Sequence, residues 1–80
     1  MIQTLAEIKT SIANILSIKP ESLHFNLNLK TDLGLDSIDI VELVVDVEKK
    51  FGVIIPDNRT LELITVADLT KEVAHAANQN

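Results

Sequence analysis

Asp32-Leu33-Gly34-Leu35-Asp36-Ser37-Ile38-Asp39-Ile40 decides the fold, because a loop ends and a helix begins inside it. Gly34 supplies a turn. Asp36 can cap the free amides of a new helix, Asp39 stands at its third position, and Leu35 can staple onto Ile40, so the spacing predicts a helix starting at Ser37. Ile40, Val44, Val47 and Phe51 then recur at helical steps as an inward stripe that ends near Gly52, about four turns on. The opposing signal is β-branching: Ile38, Ile40, Val41, Val44, Val45 and Val47 all lose rotamer freedom in a helix, which makes a strand over Val41 to Val47 the competing reading. Cap, staple and period agree on the helix, and burial commonly overrides propensity in a packed domain.

Upstream, Thr4 and Glu7 have the spacing of a capping box, and Leu5, Ile8, Ile12 and Ile15 or Leu16 follow on one face, so Thr4 to Leu16 reads as a helix. From Ser17 to Leu35 the period dissolves into a long loop, with Leu23, Phe25, Leu27, Leu29 and Leu33 available to pin it down. Downstream, Pro56 and Asp57 open a short connecting segment through Ile64 with room for one helical turn. Thr65 and Asp68 repeat the cap spacing, Ile64 can staple to Leu69, and Val66, Leu69 and Val73 line one face of a last helix. Asn78 to Asn80 read as a fraying end.

Eighty residues, 46% of them hydrophobic, predict one small folded domain over 1–80 with a single modest core. There is no cysteine, so disulfides and thiolate metal sites are excluded and aliphatic packing must hold the chain together. Met1 to Ile18 lacks the basic start and continuous apolar centre of a signal peptide, which predicts a cytoplasmic protein without membrane insertion; a monomer is the expected state. Twelve acidic against seven basic side chains give a net charge of -5, which repels nucleic acid and favours partners with basic surfaces. The acid concentrates: Asp32, Asp36, Asp39, Glu42, Asp46 and Glu48 precede any basic residue in their stretch.

Two features there bear on function. With Asp36 capping, the Ser37 hydroxyl is left free at a helix start, where unpaired amides and a partial positive charge favour a phosphodiester. Serine is also simply a good residue for a helix start, and local physics does not choose between these readings. Second, helix angles turn Ile38, Val41 and Val45 away from the core stripe, with Glu42 beside them and Asp39 and Asp46 next around the helix. Acid then rims an apolar patch, as in a partner site. Burial of both stripes by neighbouring helices is the alternative. Other chemistries fit poorly. Asp32 to Asp36 lacks the ligand order and closing glutamate of an EF-hand loop, so no metal site is expected. For a hydrolase, Ser37 has only His24 and His75 as candidate bases, one in the loop and one near the chain end, so no catalytic residue is assigned. Asn58-Arg59-Thr60 fits a glycosylation sequon only by coincidence in a chain without a secretory signal.

Asp32-Leu33-Gly34-Leu35-Asp36-Ser37-Ile38-Asp39, with Val41-Glu42-Leu43 and Ile55-Pro56-Asp57 after it, resembles the acyl carrier protein family over nearly the whole chain. The resemblance implies an all-α fold, a small four-helix bundle with a long first loop and a short third helix within Asp57 to Ile64. It implies a 4'-phosphopantetheine arm placed on Ser37 by a phosphopantetheinyl transferase, with acyl groups held as thioesters on the arm's terminal sulfur. Ser37 is then an anchor rather than a nucleophile. Matching family positions make Asp36, Ile38, Asp39, Val41, Glu42, Val45 and Glu48 the surface for acyl-transferring, condensing and modifying enzymes with basic patches.

Some residues depart from the family's pattern. Ile38 stands where leucine or methionine is usual, Lys49 and Lys50 replace commonly acidic positions, and Arg59 with Leu61 makes the third helix less acidic and more apolar. These departures put in doubt a partner set identical to that of housekeeping fatty acid synthesis. A free-standing carrier of a dissociated fatty acid, polyketide or related lipid pathway is the leading expectation. An aminoacyl or aryl carrier is the alternative, and an acidic protein-docking module without a cofactor is the reading from another class.

Overall fold

The computed structural model describes residues 4–77, and the expected frayed end at Asn78 to Asn80 lies outside them. Among the described residues the elements are α1 (Leu5–Ile15), a 3₁₀ turn (Pro20–Ser22), α2 (Ser37–Phe51), α3 (Asp57–Thr60) and α4 (Val66–Ala77). The fold is the expected small helical bundle with a long first loop and a short third helix.

At the start of α1, the Thr4 hydroxyl accepts the Glu7 amide at 3.1 Å and the Glu7 carboxylate accepts the Thr4 amide at 3.2 Å. The Thr4 hydroxyl also donates to Glu7 Oε1 at 2.8 Å, and this bond first and the Thr4 amide second hold the Glu7 carboxyl below its ordinary range. The helix buries Ile8, Ile12 and Ala13, with Ile15 and Leu16 packed at the margin, whereas Leu5 is exposed although the period put it on the inward stripe. The helix ends on Ser17 at φ 59°, where Ser17 N–H donates to Asn14 O and Ile18 N–H to Ala13 O. This is a Schellman closure built on serine, where glycine is the usual signal.

The long loop is tied down at both ends of its work. Leu23 and Leu29 are fully buried, and Leu27, Leu33 and Leu35 pack against the core. Phe25 stays at the surface with the Lys9 ammonium 4.9 Å from its ring centre. Loop carbonyls then satisfy the first amides of α4: Val66 N–H donates to Leu27 O at 3.0 Å and Ala67 N–H to Phe25 O at 2.8 Å. Leu29 N–H donates to Ile64 O at 2.8 Å, so the loop crosses the entry to α4 rather than hanging free.

In α2, Ile40, Leu43, Val44 and Val47 face the core, and Gly52 closes the helix at φ 66°. Valine-rich or not, Val41 to Val47 is helical. Val66, Leu69 and Val73 bring α4 into the same core, and Thr70 is buried there with its hydroxyl donating to Val66 O at 2.8 Å. Of the pair read as a staple, Leu69 is fully buried while Ile64 is 59% exposed. Ile64 contributes through its backbone instead, accepting from Leu29 and donating to Asp68.

Asp68 Oδ2 accepts the amides of Thr65 at 2.9 Å and Ile64 at 3.0 Å, and its own amide donates to the Thr65 hydroxyl at 3.2 Å. The Thr65 amide is the main reason its carboxyl sits below the ordinary carboxylate range, against some desolvation that raises it. A carboxyl depressed in the folded state stabilises fully above its unfolded pKa and stops doing so as pH falls through its folded pKa. Asp68→Asn is therefore expected to cost about 1 kcal/mol near neutral pH. In urea denaturation across pH, the gap between variant and native chain should close on descent below the carboxylate range.

Candidate phosphopantetheine attachment site

The site is assembled where the loop hands over to α2. Asp36 Oδ1 accepts the Asp39 amide at 2.8 Å and Asp39 Oδ2 accepts the Asp36 amide at 3.0 Å, a reciprocal cap with aspartate in both roles. Leu35, half-buried against the core, precedes the cap, and its N–H donates to Leu29 O at 3.1 Å. The cap and the first α-helical bond, Ile40 N–H to Asp36 O at 3.0 Å, engage the amides of Asp39 and Ile40. The amides of Ser37 and Ile38 remain open at the positive end of a helix of 15 residues. Ser37 is exposed. A phosphodiester on its hydroxyl fits this place, since nothing must be displaced to seat it and two unpaired N–H groups lie beside it.

One turn on, α2 shows three faces. The core face carries Ile40, Leu43, Val44 and Val47. Ile38, Val41 and Val45 are 70%, 50% and 39% exposed, so the second apolar stripe is a surface feature and neighbouring helices do not bury it. Glu42 and Asp46 are exposed on the third face, following Asp39 around the helix.

The apolar stripe borders a groove of about 410 Å³ between α2 and α3, lined by Val41, Val44, Val45, Ile55, Thr60 and Leu61 among others. A smaller cavity of about 70 Å³, lined by Ser37, Lys30, Val41, Thr60 and Leu61 with two core residues, lies at its Ser37 end. Leu61 is 84% exposed and adds an apolar side chain from beyond α3, a neighbour that the α2 periodicity did not signal.

Of the residues expected to meet partners, Asp36, Ile38, Asp39, Val41, Glu42 and Val45 are all exposed on one end and side of α2. Glu48 is half-buried and its Oε2 accepts the Ile55 amide at 2.7 Å, so its carboxylate ties α2 to the segment that leads into α3. The α3 helix has no buried residue of its own, and Arg59 holds it to α4 through Glu72, with Nε to Oε1 at 2.6 Å and Nη2 to Oε2 at 3.3 Å. Neither His24 nor His75 lines the Ser37 cavity, and among the described residues no group of acidic and histidine side chains could hold a metal.

The family profile described as a phosphopantetheine attachment site matches residues 6–73. The chain belongs to the acyl carrier protein family. An acyl carrier protein of Campylobacter hominis is 38% identical over 63 residues, covering 79% of this chain and 80% of that one. An acyl carrier protein of Bradyrhizobium sp. (strain ORS 278) is 41% identical over 64 residues, 80% of this chain and 81% of the relative. The crystal structure of an acyl carrier protein from Thermotoga maritima superposes with a TM-score of 0.72 at 26% identity, covering 90% of this chain and 84% of that one. Acyl carrier proteins are carriers, so this chain is not an enzyme, and covalently attached 4'-phosphopantetheine is its cofactor. The carrier role brings interaction with a phosphopantetheinyl transferase and with biosynthetic enzymes. No helix among the described residues is long and apolar enough to cross a membrane.

The aspartate cap determines how firmly the Ser37 end of α2 is held. Asp36→Ala should cost about 0.5–2 kcal/mol in chemical denaturation. It should also speed amide hydrogen exchange at Asp39 and Ile40 through local opening, whereas core amides of α4 should change only by as much as the global stability falls.

Proposed function

We propose that Ser37 bears the 4'-phosphopantetheine arm and that the chain, one carrier domain over 1–80, shuttles acyl intermediates between enzymes of a dissociated fatty acid, polyketide or related lipid pathway. The observation that carries this reading is the open serine hydroxyl at the first position of a helix whose cap is supplied by the residue before it. Bound there, the arm supplies a terminal thiol on which acyl groups travel as thioesters. The chain's own residues do the rest. Asp36 and Asp39 fix the helix start, Ser37 anchors, and Ile38, Val41 and Val45 offer an apolar contact beside the exposed acids Asp39, Glu42 and Asp46.

Enzymes that present basic patches dock on Asp36, Ile38, Asp39, Val41, Glu42, Val45 and Glu48. Acid on an exposed rim sets encounter rate and register more than final affinity, which suits a carrier that must leave each partner quickly. The protein works as a monomer in the cytoplasm, where its partners are soluble enzymes.

Two experiments test this. Incubation of the apo chain with a phosphopantetheinyl transferase and its cofactor donor, followed by intact-mass measurement, should add one arm to the native chain and none to Ser37→Ala. An equal gain on Ser37→Ala overturns the assignment. Glu42→Lys should slow modification by about 2- to 10-fold at low salt, with the difference shrinking as salt rises. Which loading enzyme then accepts the modified chain distinguishes an acyl from an aminoacyl or aryl cargo.

A further inference from the structure

Lys30 shares the small cavity with Ser37, and backbone bonds build its position there. Asn28 Oδ1 accepts the amides of Lys30 and Thr31 at 2.9 Å and 3.0 Å, and Asp32 Oδ2 accepts the Asn28 amide at 2.7 Å, closing the turn on itself. The preceding residue, Leu29, is fully buried and bonded through its N–H to Ile64 and through its carbonyl to Leu35. The Cα of Lys30 is thus held while its flexible four-carbon stem sweeps the cavity rim.

No other cation lines that cavity, and most of them are committed elsewhere or distant. Arg59 is bound to Glu72. Lys49 and Lys50 stand in the last turn of α2, roughly 18 Å or more along the axis from Ser37. Lys9 lies over Phe25, and Lys71 lines a depression with Arg59, Glu62 and Asp68 on the α4 side. Among the described residues no carboxylate pairs with Lys30, while the carboxylates nearest Ser37 in sequence, Asp36 and Asp39, already accept backbone amides. A phosphodiester on Ser37 therefore has acid in the first turn of α2 and one uncommitted ammonium at the cavity.

We propose that Lys30 is a positioning residue for the prosthetic arm: its ammonium pairs with the phosphodiester on Ser37 and directs the arm toward Thr60 and Leu61 rather than over Asp39. This rests on the attachment at Ser37 argued above. The pair is exposed, so it biases the arm's direction by about 1.5- to 5-fold rather than locking it. Salt weakens the bias.

The test compares the native chain with Lys30→Met and Lys30→Arg, each incubated with a phosphopantetheinyl transferase and weighed intact to establish that one arm is present. NMR then reads cross-relaxation between the arm's geminal methyl groups and the methyls of Thr60 and Leu61, and the ³¹P resonance of the phosphodiester at low and high salt. The native chain and Lys30→Arg should show the contacts. In Lys30→Met, and in the native chain at high salt, they should fall about two-fold, with a shifted ³¹P signal, while core methyl resonances stay in place. Contacts and ³¹P signal unchanged in a fully loaded Lys30→Met overturn the pairing alone. Absence of any mass gain on the native chain overturns the attachment at Ser37, and the pairing with it.

Discussion

The exchange of hydrogen bonds between Asp36 and Asp39 is the constraint on which the Ser37 end of α2, the proposed attachment end, depends. A helix start needs acceptors for its first amides, and serine is among the residues that commonly supply one. Here aspartate supplies it from one position earlier, so Ser37 enters the helix with its hydroxyl unspent. The same two carboxylates surround that hydroxyl with negative charge, which a positive helix end and a cation across the cavity offset in part. Geometry and charge at this place are one arrangement, because the acids that fix the helix start are also exposed acids of the proposed docking surface.

That arrangement is held from behind by the loop. Leu29, fully buried, is bonded on one side to Ile64 and on the other to Leu35, the residue before the cap. Carbonyls of Phe25 and Leu27 meanwhile satisfy the first amides of α4. A connection from Ser17 to Leu35 with almost no regular structure would be costly in entropy if it only spanned a gap. It is instead the cap of one helix and the support of another, and its buried leucines anchor both functions in the core shared by α1, α2 and α4.

Much of this was legible in the sequence where local chemistry and global packing coincide. The capping pairs Thr4 with Glu7 and Asp36 with Asp39 announced two helix starts, and period three-to-four spacing outweighed six β-branched residues in α2. The turned-away stripe of Ile38, Val41 and Val45 followed from helix angles alone. What escaped depends on tertiary partners. Glu48 looked like one more surface acid, but its carboxylate is drawn to the Ile55 amide, a contact seven residues away across a bend. Leu5 and Ile64 fit an inward pattern and yet lie open, because each sits at an element's edge where the core has ended. Ser17 gave no warning of its positive φ, since the usual marker of that closure is glycine. The four-residue α3 has too little period to be read from spacing, and only the family pattern placed it.

The way α3 is fastened has a consequence for how this molecule responds to its surroundings. The other helices are attached by hydrocarbon, whereas α3 contributes no buried side chain and is clasped from outside by a guanidinium and a carboxylate. Hydrocarbon attachment tightens with salting-out ions and is indifferent to simple electrolytes at ordinary strength, while an ionic clasp half open to water is screened by them. The wall of the groove nearest the serine is therefore the part of the bundle most sensitive to ionic strength, and the least coupled to the melting of the core.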